Sequence, residues 1–267
     1  MLDPADAPPT ALSGERPTLV RVNAQIVFVH GIRTSASMWR SQLDYLREHG
    51  YAAQAVDLPA HGTRRGGDFT LDEAMRTIDT AVRRAAENGP VLLVGHSLGG
   101  LLCLAYAGSG EAPPLAGLVA ASCTALPFGA GLAWYRGVTR VTNMLPDQGQ
   151  WISGRMLAAT IPVETRSDFG AGGYALDAQD AVLRSLAHLD LATSVARIDV
   201  PLWFVNGQWD QLRVNERLFQ RLAPHAELIV VPRTTHLVTA MRPRVFNAAL
   251  RVALTTLETG AGVRRAS

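Results

Sequence analysis

Lysine is missing altogether: all 25 basic residues of the chain are arginines. Set against 23 acidic residues they leave a formal net charge of only +2. They are scattered singly or as doublets such as Arg64-Arg65 and Arg83-Arg84. A nucleic-acid groove needs a dense basic stripe, so this distribution argues against nucleic acid as a partner. The lysine-free composition reads as the coding bias of a GC-rich source and not as a device for holding phosphate. Cysteine is almost as scarce. Cys103 and Cys123 are the only two, and a pair without a spacing pattern neither staples a fold nor builds a metal site, so both are expected as reduced core thiols. None of the 7 histidines stands at metal-ligand spacing to another, so neither a metal nor another cofactor is expected. Long apolar runs are lacking too. No stretch approaches the ~20 residues that cross a bilayer, and Met1–Pro17 has no basic start or apolar run of the secretory kind. Residues 1–17 are expected to be a disordered lead-in and the protein to be cytoplasmic.

What is present suits a large core: 267 residues, 48% of them apolar and 18% charged. Runs rich in Val, Ile and Phe at Gln25–His30 and Val91–Gly95 have the look of strands buried on both faces. Further strands are expected at Thr18–Val22, Ala52–Asp57, Leu115–Ala121, Leu202–Asn206 and Glu227–Val231. Between them the apolar period changes to three or four. Leu71, Met75, Ile78, Val82 and Ala85 predict a helix over Leu71–Asn88, and similar stripes predict helices over Met38–Glu48, Val214–Leu222 and Arg242–Glu258. Alternating strands and helices imply an α/β fold, a mostly parallel sheet flanked by helices on both faces. One region breaks the alternation. Residues 124–189 hold Trp134, Tyr135, Met144, Trp151 and Met156 but no convincing strand. They are expected as a helical cap inserted between the core parts 18–123 and 190–258, with 259–267 as a C-terminal tail.

The sharpest local signal is Gly95-His96-Ser97-Leu98-Gly99-Gly100, which follows the apolar strand and opens a helical run through Leu101, Leu102 and Leu104. A serine on such a strand-to-helix turn is forced into a strained conformation that exposes its hydroxyl at the carboxyl edge of the sheet. Glycines two positions away on either side allow strand and helix to pack closely around it. The free N–H groups of the following helix favour an oxyanion at that point.

With three further blocks this chain resembles the α/β-hydrolase family from about Val20 to Glu258. The blocks are Phe28-Val29-His30-Gly31, Asp57-Leu58-Pro59-Ala60-His61-Gly62, and the stretch from Pro201 to Asp210 followed by Thr235-His236, in the family's order. The resemblance implies a serine esterase or lipase-like hydrolase with a helical cap. Elimination points to the same partners for Ser97, since functional groups of an open α/β sheet lie beyond the carboxyl ends of strands. Asp210 follows the strand Leu202–Asn206, whereas Asp199 precedes it. After Leu115–Ala121 stand only Ser122, Cys123 and Thr124. His236 follows Glu227–Val231, whereas His225 precedes it and His188 belongs to the insertion.

In the expected roles, His236 takes the proton of Ser97 and Asp210 orients and stabilises the imidazolium. The backbone N–H groups of Ile32 and Leu98 are expected to form the oxyanion hole. His30, His61 and His96 are expected as structural anchors. Arg33, next to the presumed donor, could pair with a substrate carboxylate, and Trp39 and Trp209 could wall an acyl pocket, although loop bracing and packing are the simpler uses of all three. The expected partner is a small-molecule acyl substrate, an ester, thioester or lactone. The alternatives are a carbon–carbon bond hydrolase, a perhydrolase or haloperoxidase-like enzyme, or a lyase on the same fold, and more remotely a non-catalytic ligand receptor.

Overall fold

The computed structural model describes residues 23–110, 114–128, 137, 141, 144–145 and 150–265. Among them six strands form one sheet: β1 (Gln25–Val29), β2 (Ala52–Val56), β3 (Val91–His96), β4 (Leu115–Ala121), β5 (Leu202–Gly207) and β6 (Glu227–Val231). Their order across the sheet is β2-β1-β3-β4-β5-β6, and every neighbouring pair is parallel. Burial follows position. All residues of β1, β3 and β5 are buried, as helices on both faces demand, whereas the outer strands β2 and β6 are part-exposed. The strand expected at Thr18–Val22, the lead-in 1–17 and the aromatics Trp134 and Tyr135 lie outside the described residues.

Alternation along the strands divides the interior into two cores. Val27, Val29, Leu93, Leu118 and Phe204 face one side with Ile78, Val82, Leu102 and Phe219. These last come from helices α2 (Leu71–Ala86), α3 (Leu98–Ala107) and α8 (Glu216–Leu222). Ile26, Phe28, Leu92, Val94, Trp203 and Val205 face the other side with Trp39, Leu46, Phe246 and Leu250. That face is covered by α1 (Arg40–Glu48), the short α9 (Val238–Met241) and α10 (Pro243–Arg265). Trp39 stacks between Phe28 and Phe246 with ring centroids 4.7 and 5.9 Å away. Burying one such aromatic side chain contributes about 1.5–3 kcal/mol, so the alternation commits the register of each strand.

Local signals fix the helix ends. Thr70 caps α2 by accepting the Glu73 amide, Asp72 and Glu73 lie in its first turn, and Arg83 and Arg84 in its last, each favourable to the helix dipole. The segment expected as one helix over Met38–Glu48 is divided. Its start is a 3-10 turn, Ala36–Trp39, capped by Ser35, because the Asp57 carboxylate takes the Ala36 amide at 2.7 Å and tightens the entry. The last helix also differs from expectation. It runs to Arg265, into the segment expected as a tail. The Thr259 hydroxyl there bonds back to the carbonyls of Thr255 and Thr256.

Within residues 124–189 the described elements are α4 (Gln150–Thr160), α5 (Val163–Gly170) and α6 (Gln179–Leu186), followed by α7 (Leu191–Ala196). Val182, Leu183 and Leu186 of α6 join the first core, and Phe169 of α5 joins the second. Trp151 and Met144 are exposed instead. A glycine-rich strap after α5 is sewn to the loop that follows β1. The Ser37 hydroxyl donates to the Asp168 carbonyl (2.7 Å) and accepts the Gly172 amide (3.2 Å), Arg40 pairs with the Asp168 carboxylate (2.7 Å), and the Ala175 amide donates to the Arg33 carbonyl (3.3 Å). A Cβ on Gly172 would lie 1.9 Å from the Ser35 hydroxyl, so only glycine permits this approach. No described helix is long and apolar enough to cross a membrane.

Candidate active site

Ser97 joins β3 to α3 with φ 53° and ψ −116°, a conformation that an L-residue holds only where its surroundings impose it, at about 1–3 kcal/mol. Its amide is tied to the Ala121 carbonyl at 2.9 Å. The turn closes because side chains are missing beside it. A Cβ on Gly95 would lie 2.5 Å from the Gly99 carbonyl oxygen, and one on Gly99 only 2.3 Å from that of Val29. Both neighbours are backbone and cannot swing aside. Gly99→Ala is therefore expected to destabilise the protein by roughly 3 kcal/mol or more, as overpacking against backbone does; a melting temperature within a degree of wild type would contradict it.

The acid and the base come from loops pressed together in the same way. Gly207 ends β5 where a Cβ would lie 2.1 Å from the Thr235 carbonyl oxygen. The Gln208 and Trp209 amides donate to the Val231 and Thr234 carbonyls, both at 2.9 Å, which holds the segment carrying Asp210 beside the segment carrying His236. His236 Nδ1 lies 3.0 Å from Asp210 Oδ1, and Nε2 lies 2.9 Å from Ser97 Oγ. A carboxylate can only accept, so Nδ1 carries the proton and Nε2 is left to accept the serine hydroxyl. Burial alone would raise the Asp210 pKa. The hydrogen bond and charge of His236, the Leu212 amide and the Ser122 hydroxyl outweigh it and hold the carboxyl below its usual range. The three side chains that the sequence separates by 113 and 26 positions thus form one hydrogen-bonded line at the carboxyl ends of β3, β5 and β6.

Opposite this line lies the loop after β1. A Cβ on Gly31 would be 3.4 Å from Ser97 Cβ, so the loop rests against the serine turn. The Gly31 carbonyl is taken by His30 Nδ1 (2.8 Å), the Thr34 hydroxyl (2.9 Å) and the Thr34 amide (3.4 Å). Those donors fix the plane of the Gly31–Ile32 peptide, and in a trans peptide the Ile32 N–H points opposite to that carbonyl. Leu98 is the first residue of α3, where an amide has no acceptor within its own helix. His30 completes the anchor: its Nε2 accepts the Leu58 amide at 3.0 Å, and burial, with the charge of His61 next, pushes its pKa down to about 4. Asp57 pins the far side through the Ala36 amide and the Thr63 amide and hydroxyl.

The remaining candidates divide. Trp39 is fully buried between Phe28 and Phe246 and belongs to the core, the packing use that is its simpler expectation, and not to a pocket wall. Trp209 is 61% exposed, because its amide and not its ring is what the Asp210 loop uses. Arg33 is half-buried in a left-handed conformation, φ 66°, and its guanidinium has no ion-pair partner among the described residues. Sequence reasoning missed the part played by Ser122, whereas His96, expected as a structural anchor, is one. Ser122, left-handed at φ 53° and fully buried, lowers the Asp210 pKa. His96 bonds the main chain of His236. A polar residue directly after a central strand, or directly before the nucleophile, was the available signal.

Comparison with known proteins places the fold in a family. Residues 26–249 match the model of the alpha/beta hydrolase family. Among curated proteins the chain is 41% identical over 78 residues to "Probable esterase PIR7A" of Oryza sativa subsp. indica, covering 28% of this chain and 30% of the relative. It is 33% identical over 81 residues to (E)-2-((N-methylformamido)methylene)succinate hydrolase of Acinetobacter baylyi, covering 29% of each. The matched stretches thus span less than a third of either relative. Among solved structures, E-2-(acetamidomethylene)succinate hydrolase superposes with a TM-score of 0.67 at 22% identity, over 86% of this chain and 91% of that one. At that identity the likeness is one of fold.

Proposed function

The chain belongs to the alpha/beta hydrolase family, and from that premise we propose that it is a serine hydrolase cleaving carboxylic esters, thioesters or lactones through an acyl-enzyme on Ser97. The observation that carries the reading is the unbroken line from Ser97 Oγ through the His236 imidazole to the Asp210 carboxylate, with steps of 2.9 and 3.0 Å. Such a line gives a weak hydroxyl nucleophile a base already in hydrogen-bonding reach.

As Ser97 Oγ adds to the acyl carbon, its proton passes to His236 Nε2 and the carbonyl π electrons move onto oxygen. The Ile32 and Leu98 amides receive that oxyanion. When the tetrahedral centre collapses, the bond to the leaving oxygen or sulfur breaks and His236 returns its proton there. Water then repeats the sequence on the acyl-enzyme, losing its proton to His236, and Ser97 is regenerated. Asp210 keeps the imidazole in one tautomer and offsets its transient positive charge. The chemistry draws on these side chains, two amides and water. The strap bound to Ser37 and Arg33 ties α5 to the oxyanion loop, and on this reading the described helices of the insertion shape substrate selectivity. A substrate with a second carboxylate fits Arg33, which has no ion-pair partner among the described residues, and two similar proteins are named as hydrolases of succinate derivatives. Those names equally favour a second reading, cleavage of a bond other than an ester by the same three residues.

One experiment separates these readings. Wild-type protein is treated with a fluorophosphonate probe and assayed on p-nitrophenyl esters of neutral acids, their hemisuccinate counterparts, and ring-fission-type diketones. Adduct mass on Ser97, with ester turnover favouring the hemisuccinate, is the expected result. Unchanged labelling in Ser97→Ala overturns the mechanism, and turnover confined to the diketones overturns the ester assignment.

A further inference from the structure

The mechanism makes no use of His96, although it stands beside the nucleophile. Its side chain is sealed, with 2% of the residue exposed, and its ring centroid lies 5.1 Å from that of His236. Its Nε2 lies 2.9 Å from the main-chain carbonyl oxygen of His236, 140 positions away in sequence. A carbonyl can only accept, so Nε2 carries the ring proton and Nδ1 is bare. Among the described residues Nδ1 is buried without a hydrogen-bond partner, against the Gly31 backbone. The imidazole therefore sits where it does in spite of an unmet acceptor, and its one hydrogen bond is the link to residue 236.

That link matters because of where His236 stands. Residues 232–237 belong to neither helix nor strand; backbone bonds tie the segment at Thr234 and at Leu237, and the His236 carbonyl between them is met by His96. Ser97, by contrast, is locked by the turn between β3 and α3. A donor rooted in that turn and reaching the His236 carbonyl sets the distance between the two moving parts of the proton transfer. Burial, with the charge of His236 next, pushes the His96 pKa down to about 3, so the donor keeps its proton arrangement at every pH where the protein works.

We propose that His96 is a positioning residue whose Nε2–H holds the main chain of His236, and so keeps His236 Nε2 within hydrogen-bonding reach of Ser97 Oγ. The proposal rests on the serine-hydrolase reading above. A shift of about 1 Å in a reacting group slows a reaction by roughly 100-fold, so even slack short of rupture is measurable. Two variants of the full chain test it. His96→Phe keeps a ring of similar bulk without the donor; His96→Gln places an amide N–H close to the position of Nε2–H.

The expected result is a kcat loss of about 30-fold or more in His96→Phe with KM within about threefold, and recovery to within about fivefold of wild type in His96→Gln. Melting temperatures are measured alongside. A phenylalanine variant at wild-type kcat overturns the proposal, as does a glutamine variant that is as slow as phenylalanine or does not fold. A phenylalanine variant that fails to fold while the glutamine variant is folded and active assigns His96 to stability and also overturns it. The two readings fail separately: wild-type protein that the fluorophosphonate does not label at Ser97 sinks the mechanism, whereas normal labelling with an unimpaired His96→Phe sinks only the positioning role.

Discussion

Replacing His236 by alanine is expected to lower kcat for activated esters by on the order of 10⁶-fold, and replacing Ser97 should lower it about as much. The double variant should be hardly slower than either single one, because each substitution removes the same proton-coupled attack and the second has nothing left to remove. Asp210→Asn should be milder, on the order of 10⁴-fold, since it disturbs the tautomer and charge of the imidazole while leaving nucleophile and base in place. All the variants should retain about 10³–10⁴-fold acceleration over water from the oxyanion donors and binding. Steady-state kinetics on one ester, with each protein purified free of wild type, gives the ranking. Additive losses for Ser97 and His236 would mean that the two side chains do not act as one unit.

The second large effect concerns acid. His30 and His96 are held neutral by burial, their pKa values lowered to about 4 and about 3, and His61 is lowered as well, again chiefly by burial. In the unfolded chain each titrates near 6.5. Between those limits the unfolded state binds more protons than the folded one, so stability rises with pH there. The contribution is complete above about pH 6.5 and is lost as pH falls toward the folded values. By pH 5 His30 and His96 should each have withdrawn about 2 kcal/mol, a large part of the 5–15 kcal/mol typical of a domain. Asp57 and Asp210, whose carboxyls lie below the ordinary range, add a further loss only below about pH 4. Urea denaturation at pH 7.5 and pH 5.0 measures this. A fall in midpoint at constant m-value is expected, and equal midpoints would contradict the buried neutral state of these rings.

Much of this was legible in the chain itself, for identifiable reasons. The strands Leu115–Ala121 and Glu227–Val231 stand where apolar composition and flanking turns put them, and the helix Leu71–Ala86 differs from expectation only by ending two residues before Asn88. Ser97, Asp210 and His236 could be named because each follows a strand, and parallel strands send all such residues to one rim. What stayed hidden depends on neighbours remote in sequence. Packing could be expected of Trp39, but its partners Phe28 and Phe246 could not be named. Helix α10 continues past Glu258 through Thr259 and Gly260, where the sequence offers no apolar period to read. The Gly172 strap carries no periodic signal at all, since its meaning lies in the Ser35 and Ser37 hydroxyls some 135 positions earlier. His96 reads as a polar residue next to a nucleophile, and what it donates to becomes visible only when the loop after β6 folds over it.

Cys103 and Cys123 lie fully sealed near each other, and burial, with the neighbouring charge next, pushes both thiols far above their ordinary range. Neither offers a thiolate at neutral pH while the fold persists. Soft electrophiles such as maleimides and iodoacetamide accordingly find nothing to alkylate in the intact molecule, and with no lysine in the chain, amine-directed reagents lack side-chain targets too. Thiol alkylation then becomes a clock for opening of the interior, independent of any assay on the hydroxyl of residue 97.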